Sequence, residues 1–387
     1  MEDYEVNRVL EVSGFSRQST PLRYLGVPIC AKKISKQECV VLIEKMTARI
    51  QSWSTRNLSF AGRIVLINSV LSAIYAYWCQ IFKLPKQVIH EVESICRAFL
   101  WKGQHMMQGG GSVAWDRICQ AKSEGGSGLR KIEEWNITAL FKYVWALANK
   151  EDNLWVKWIH SVYLKDGDWW GYQAPSHGSW YWKQVVAAKD KLKQFTAVQQ
   201  FTQSKFQISA GYSLLCPIQS KVHWCDEVWG RFNIPKHSFI LWLAVQKRLK
   251  TRDWLTKFQN IVDTKCPICM QQEETSEHLF FRCPLAQYCV EKIKDWLSWR
   301  TQANDLHKLL KWIHKSKISK IEKRVLAAAI AHLVYSIWFV RNDIVWNNNI
   351  ENKDIIVQRI KNSIKHRVEL VWPKKSGQKD REWFYKL

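Results

Sequence analysis

The tightest constraint on this chain is an 18-residue stretch: Cys266-Pro-Ile-Cys269, then eight residues, His278, then four residues and Cys283. Zinc favours thiolate and imidazole ligands in a tetrahedron, and structural sites fill all four positions with protein. A Cys-x2-Cys pair brings two sulfurs to one ion from a tight turn, which Pro267 helps to pre-form, and the eight-residue gap lets the chain return. Ile268, Leu279, Phe280 and Phe281 offer a small apolar shell. A unit this short buries too little to fold alone, so the ion would supply its folding energy. The spacing predicts one structural zinc held by Cys266, Cys269, His278 and Cys283, with no open position for a reacting water. Two other readings compete. Cys is among the most buried residue types, so these could be core thiols beside an unrelated histidine. A redox Cys-x-x-Cys would need neither His278 nor Cys283. Cys289 could replace a ligand, but it lies beyond Pro284 on an apparent helix with Val290, Ile293 and Leu297, and it reads as packing.

The remainder of the 387-residue chain is long enough for two or three compact units. Hydrophobic residues at 47% and charged residues at 24% exclude a disordered chain. The formal net charge is +24, and so large an excess attracts polyanions, of which nucleic acid is the commonest. There are 23 tryptophans, most in apolar runs where they should pack, with a minority free to stack on bases. Eleven cysteines, an odd number thinly spread, do not make a secreted disulfide framework. The start, MEDYEVNRVL, carries acids where a secretory signal carries bases. The longest apolar run, 325–340, has 16 residues and includes His332, short of the roughly 20 needed to cross a bilayer. An intracellular chain outside any membrane is expected, nuclear or cytoplasmic.

Apolar spacing predicts helices over 35–50, 63–82, 88–101, 132–148, 155–163, 181–192 and 239–245, with 206–215 a possible short extended element. The glycine-rich stretch 124–128 lacks the Lys-Ser or Lys-Thr of a phosphate-binding loop and reads as a plain turn. The expected fold is mainly α: a loose leader (1–20), a helical region (21–193), a polar linker (194–205), a small zinc-stapled helical domain (206–299) and a basic helical C-terminal segment (300–387). In that last segment 19 Lys or Arg stand against 8 Asp or Glu.

With these residues in view, the cluster ending in Glu277-His-Leu-Phe-Phe-Arg-Cys-Pro284 resembles the zinc-binding domain that follows plant non-LTR (LINE-type) retrotransposon reverse transcriptases. Ile234-Pro-Lys-His-Ser-Phe-Ile-Leu-Trp242 and Arg248-Leu-Lys-Thr-Arg-Asp-Trp-Leu255 resemble that domain's lead-in helix. Pro21-Leu-Arg-Tyr-Leu-Gly-Val-Pro-Ile29 and Trp53-Ser-Thr-Arg-Asn-Leu-Ser-Phe-Ala-Gly-Arg63 are similar to the segment just after the enzyme's palm, which implies a thumb-like helical region. Polymerases of this kind hold divalent metal with paired aspartates. This sequence contains no Asp-Asp pair, too few residues precede Tyr24 for fingers and palm, and no carboxylate set for a ribonuclease H can be assigned. The expectation is a non-catalytic RNA- or DNA-binding retroelement tail, with Arg248, Lys250, Arg252, Lys257 and Arg282 as candidate contacts. Each of these is equally read as an ordinary solvated charge. The competing functions are a protein-interaction scaffold, binding through an apolar helical surface that once packed on a polymerase, and a decayed reading frame.

Overall fold

The computed structural model describes residues 3–14, 22–29, 33–165, 167–195, 202, 205–217, 219–258 and 263–387. Among these the architecture is helical, with one short hairpin in which Leu22–Tyr24 pairs antiparallel with Val27–Ile29. Its two-residue turn, Leu25-Gly26, has both φ values positive (50° and 79°). Such a turn matches the natural twist of a hairpin and calls for glycine.

Two compact units divide the chain, and they do not follow its order. The first comprises Met1–Ser52, Asn68–Cys96 and Lys131–Ile218; the second comprises Trp53–Ile67, Arg97–Arg130 and Gln219–Leu387. The single helical region expected over 21–193 is therefore shared between both units. The basic segment 300–387 packs with the zinc-bearing stretch in the second unit as well as on itself. Periodicity tells which face of a helix is buried but not against what, so this interleaving carries no local signal. Two further differences concern local structure. Within the expected loose leader, Asp3–Ser13 is a helix with Val6, Val9 and Leu10 at helical spacing, and none of its described side chains is buried. The possible extended element at 206–215 is the helix Ile208–Leu215. Most of the expected linker (196–201, 203 and 204) lies outside the described residues.

The first unit packs Ile132–Ala148 against Trp180–Leu192 and Ile208–Leu215. Phe141, Val144, Leu147, Trp169, Trp182 and Val185 fill the space between them. Lys189 is fully buried there. Its ammonium donates to the carbonyls of Trp170 and Tyr172, lies 3.1 Å from Asp190 and sits 5.4 Å from the Trp169 ring centroid. A buried cation survives only when paired and hydrogen-bonded in this way. Asn136 does similar work where Ser72–Ile81 ends. Its Nδ2 donates to the carbonyls of Cys79 (3.0 Å) and Phe82 (2.7 Å), and its Oδ1 accepts from Leu84 N–H (2.7 Å). One side chain thus satisfies three backbone groups left over at a buried helix end.

The second unit is built on the 28-residue helix Lys320–Asn347, of which 15 residues are buried. Ser319 and Glu322 form a reciprocal capping box at its start, and Asn348 (φ 52°) closes its end in the left-handed conformation. By length and composition this helix and Phe60–Ile81 are each long and apolar enough to cross a membrane. The long helix, however, is wrapped by Pro235–Val245, Leu306–Lys315 and Lys353–Leu370, so it serves as a core helix. Every residue from His237 to Val245 is buried. Trp242 Nε1 donates to the carbonyl of Gly125 (2.9 Å), within the glycine-rich turn. A Cβ on Gly126 would lie 2.1 Å from the Gln120 carbonyl oxygen. The turn is thus a packing device, as its lack of phosphate-loop residues implied.

His237 and His332 meet inside this unit with Nδ1 atoms 3.0 Å apart, and Tyr335 stacks on His237. Burial, then His332 and Lys236, push His237 down to about 2. Burial, then Lys236 and Arg359, push His332 down to about 4. Both folded-state values lie below the ordinary 6.5, so between about pH 4 and 6.5 the unfolded chain binds more protons. The pair's contribution is complete above pH 6.5 and is lost as pH falls through that window.

Two outcomes follow. Replacement Asn136→Leu should lower the stability of the first unit by about 3 kcal/mol, because three backbone groups lose their partner; an unchanged unfolding midpoint would contradict the role. Acidifying from pH 7.5 to 5.5 should destabilise the second unit by about 2–3 kcal/mol. Denaturant unfolding of the His237→Leu/His332→Leu variant should show a flatter pH dependence, and an unaltered one would refute the assignment.

Candidate metal centre

Thr264 to Glu274 forms a tight loop. Lys265 bridges Glu273 in an antiparallel pair, Cys266 N–H donates to Gln272 O (2.7 Å), and Glu274 N–H donates to Thr264 O (2.8 Å). Met270 takes a left-handed conformation (φ 55°) directly after Cys269. That turns the chain sharply, and the amides of Ile268 and Cys269 hydrogen-bond the Cys266 sulfur. The other half of the site is a wide turn, His278–Arg282, closed by Cys283 N–H donating to His278 O (2.7 Å). Cys283 then caps the helix Pro284–Trp296, whose Pro284 suits a first turn that lacks partners for its N–H groups.

These two turns bring the four predicted residues together. The ligand atoms of Cys266, Cys269, His278 and Cys283 all lie within 4.8 Å of one another, the one such group among the described residues. Sulfurs on a tetrahedral zinc at about 2.3 Å stand roughly 3.8 Å apart, so the spacing fits the ion. His278 Nδ1 lies 3.0 Å from Gln272 Oε1, and its Nε2 lies 3.3 Å from Cys269 Sγ. Gln272 thereby orients the ring with Nε2 toward the sulfurs, the arrangement expected for a metal-bound imidazole. Burial holds His278 below its usual pKa, which favours the neutral form a metal needs. A hydrogen bond to Cys283, then burial, raises the Cys266 thiol, while accepting that bond, with the N–H groups of Leu285 and Ala286, lowers Cys283. Cys289 stands outside the group, buried, its thiol pushed up to about 11 by burial.

A residue absent from the expected set ties this loop down. Glu274 is fully buried and pairs with Arg341 of the long helix through two bonds, Nε to Oε1 (2.6 Å) and Nη2 to Oε2 (2.8 Å). It also accepts from Arg252 N–H (2.8 Å). Arg252 itself, expected as a nucleic-acid contact, is committed to the loop: its Nη1 donates to Lys265 O (2.7 Å) and pairs with Asp263. Sequence spacing cannot reveal this, because the carbonyl it satisfies is created by the loop's fold. Arg282 is exposed and paired with Glu277 at 2.5 Å. Arg248, Lys250 and Lys257 are exposed and make no ion pair among the described residues. Beside them the rings of Trp254 and Phe258 are tilted by 44° with centroids 4.7 Å apart, and Phe258 is 69% exposed.

Fold and site define a helical protein carrying a small metal-stapled module. Residues 206–289 match the family described as zinc-binding in reverse transcriptase. The chain is also 29% identical over 153 residues to an Arabidopsis thaliana protein that carries a ribonuclease H name, covering 37% of this chain and 24% of that protein. It is 31% identical over 77 residues to an uncharacterized mitochondrial protein of Arabidopsis thaliana, covering 19% of this chain and 54% of the other. The chain thus spans about a quarter and about half of these two relatives. These matches establish the resemblance to the zinc-binding region of plant retrotransposon reverse transcriptases, and the Cys/His group within 206–289 is able to hold a single zinc.

Breaking a buried ion pair leaves a charge without a partner, so Glu274→Ala should cost about 3–5 kcal/mol. The double variant Glu274→Leu/Arg341→Met should recover most of that loss in denaturant unfolding. No recovery would show that the pair is not what joins loop to helix.

Proposed function

We propose that this chain is a non-catalytic, nucleic-acid-binding piece of a retroelement reverse transcriptase, stapled by one zinc on Cys266, Cys269, His278 and Cys283. The observation that carries the reading is the convergence of a closed four-ligand set inside a chain of net charge +24. Four protein ligands leave no position for a reacting water, so the metal's role is structural. The absence of any Asp-Asp pair in the sequence argues against a polymerase centre of the paired-aspartate type. Beside the loop, exposed Phe258 with Arg248, Lys250 and Lys257 offers a base-stacking face flanked by phosphate-binding cations.

Two measurements test this. Metal analysis of the purified chain should give one zinc per chain, and Cys266→Ser/Cys269→Ser should abolish it; stoichiometric zinc in that variant would refute the ligand set. Affinity for RNA, single-stranded DNA and duplex DNA should fall steeply with salt as counterions are released. Affinity that stays constant from low to high salt would remove nucleic acid as the partner. An RNA–DNA hybrid incubated with the protein and magnesium should stay intact, and its cleavage would overturn the non-catalytic part.

A further inference from the structure

The nucleic-acid reading above leaves open where on the second unit a polyanion would lie, and the inference here rests on that reading. Leu306–Lys315 is sharply two-faced. Leu306, Leu309, Leu310 and Ile313 are buried, while Lys308, Lys311 and Lys315 are exposed on the opposite side. Residues three and four apart share a helix face, so these lysines form a row about 10 Å long. Lys317, in the connection to the long helix, and Lys320, that helix's first residue, are exposed and continue it. The row leads into a cleft whose walls carry Lys122, Arg231, Lys320, Lys323 and Arg324.

Little acid opposes this run. Asp305 pairs with Lys308 at 3.1 Å. Glu227 is buried and accepts from His314 Nδ1 at 3.2 Å, which leaves Asp226 as the exposed acid of the cleft. Lys311, Lys315, Lys317 and Lys320 make no ion pair among the described residues. Nearby aromatic faces are already covered: Lys122 lies over Trp229 at 4.9 Å, Arg324 over Phe232 at 6.0 Å, and Trp312 stacks on Trp299 at 5.8 Å. A surface with many free cations and no free ring suits a phosphate backbone but not splayed bases.

We propose that the lysine row of Leu306–Lys315, continued through Lys317 and Lys320 into the Lys122–Arg324 cleft, is a track for the backbone of double-stranded nucleic acid. It is separate from the base-stacking face beside the zinc loop. A duplex carries one charge per about 1.7 Å of axis, so a 10 Å row faces several phosphates. Such contacts position a duplex without reading its sequence.

The test compares two variants of the full chain on a labelled duplex and a single strand over a salt series. Lys311→Gln/Lys315→Gln/Lys317→Gln/Lys320→Gln should lower the slope of log affinity against log salt by about 3–4 for the duplex and weaken binding at least tenfold. The loss should be smaller for the single strand, and lysine-to-arginine changes at the same four positions should retain the parent slope. An unaltered duplex slope in the quadruple glutamine variant, or an equal loss in the arginine version, would overturn the track while leaving nucleic-acid binding in place. Absence of salt-dependent binding by the unaltered protein would overturn the underlying reading itself.

Discussion

The arrangement around the metal centre depends on one buried ion pair. Glu274 closes the loop that carries Cys266 and Cys269, and it is held by Arg341 near the end of the long core helix. Removing two charges from water costs several kcal/mol each, so such a pair persists only with good geometry and further hydrogen bonds. Here the geometry is two-pronged, and Arg252 N–H supplies the additional bond. The pair joins a segment too small for its own core to the long core helix of the second unit. Zinc and ion pair then act at opposite ends of the same loop: one gathers its ligands and the other anchors its return.

That division explains what was legible in the sequence. The four-residue group was readable because metal spacing is local: one tight loop and one wide turn within 18 residues set every relevant distance. Helices with strong apolar periodicity were readable for the same reason, as Lys86–Lys102 shows against the expected 88–101. Glu274 was not, since its partner lies 67 residues further on and nothing in the run Glu273-Glu274-Thr275 marks one acid as buried. Gln272, which orients His278, is equally silent, because its role exists only once the loop has closed. The two interleaved units were hidden too, since five crossings of the chain between them leave no composition boundary at the crossing points. Arg252 shows the opposite error. Its charge suggested an outward contact, yet the folded loop offers it a carbonyl and a carboxylate.

The zinc module and the basic surfaces form one account. Cys283 caps Pro284–Trp296, so a metal on the four ligands would order both the loop and the start of that helix. In the function proposed above, phosphate contact would fall on Leu306–Lys320 and base stacking beside the loop at Trp254–Phe258. On that proposal charge alone would grip a polyanion, with no reacting group at the metal.

The central claim is a closed, all-protein zinc site, and absorption spectroscopy at the zinc edge of the purified chain tests it most directly. The account predicts three sulfurs at about 2.3 Å and one nitrogen at about 2.0 Å, with no oxygen from water. A first shell containing a water oxygen, or fewer than three sulfurs, would contradict it.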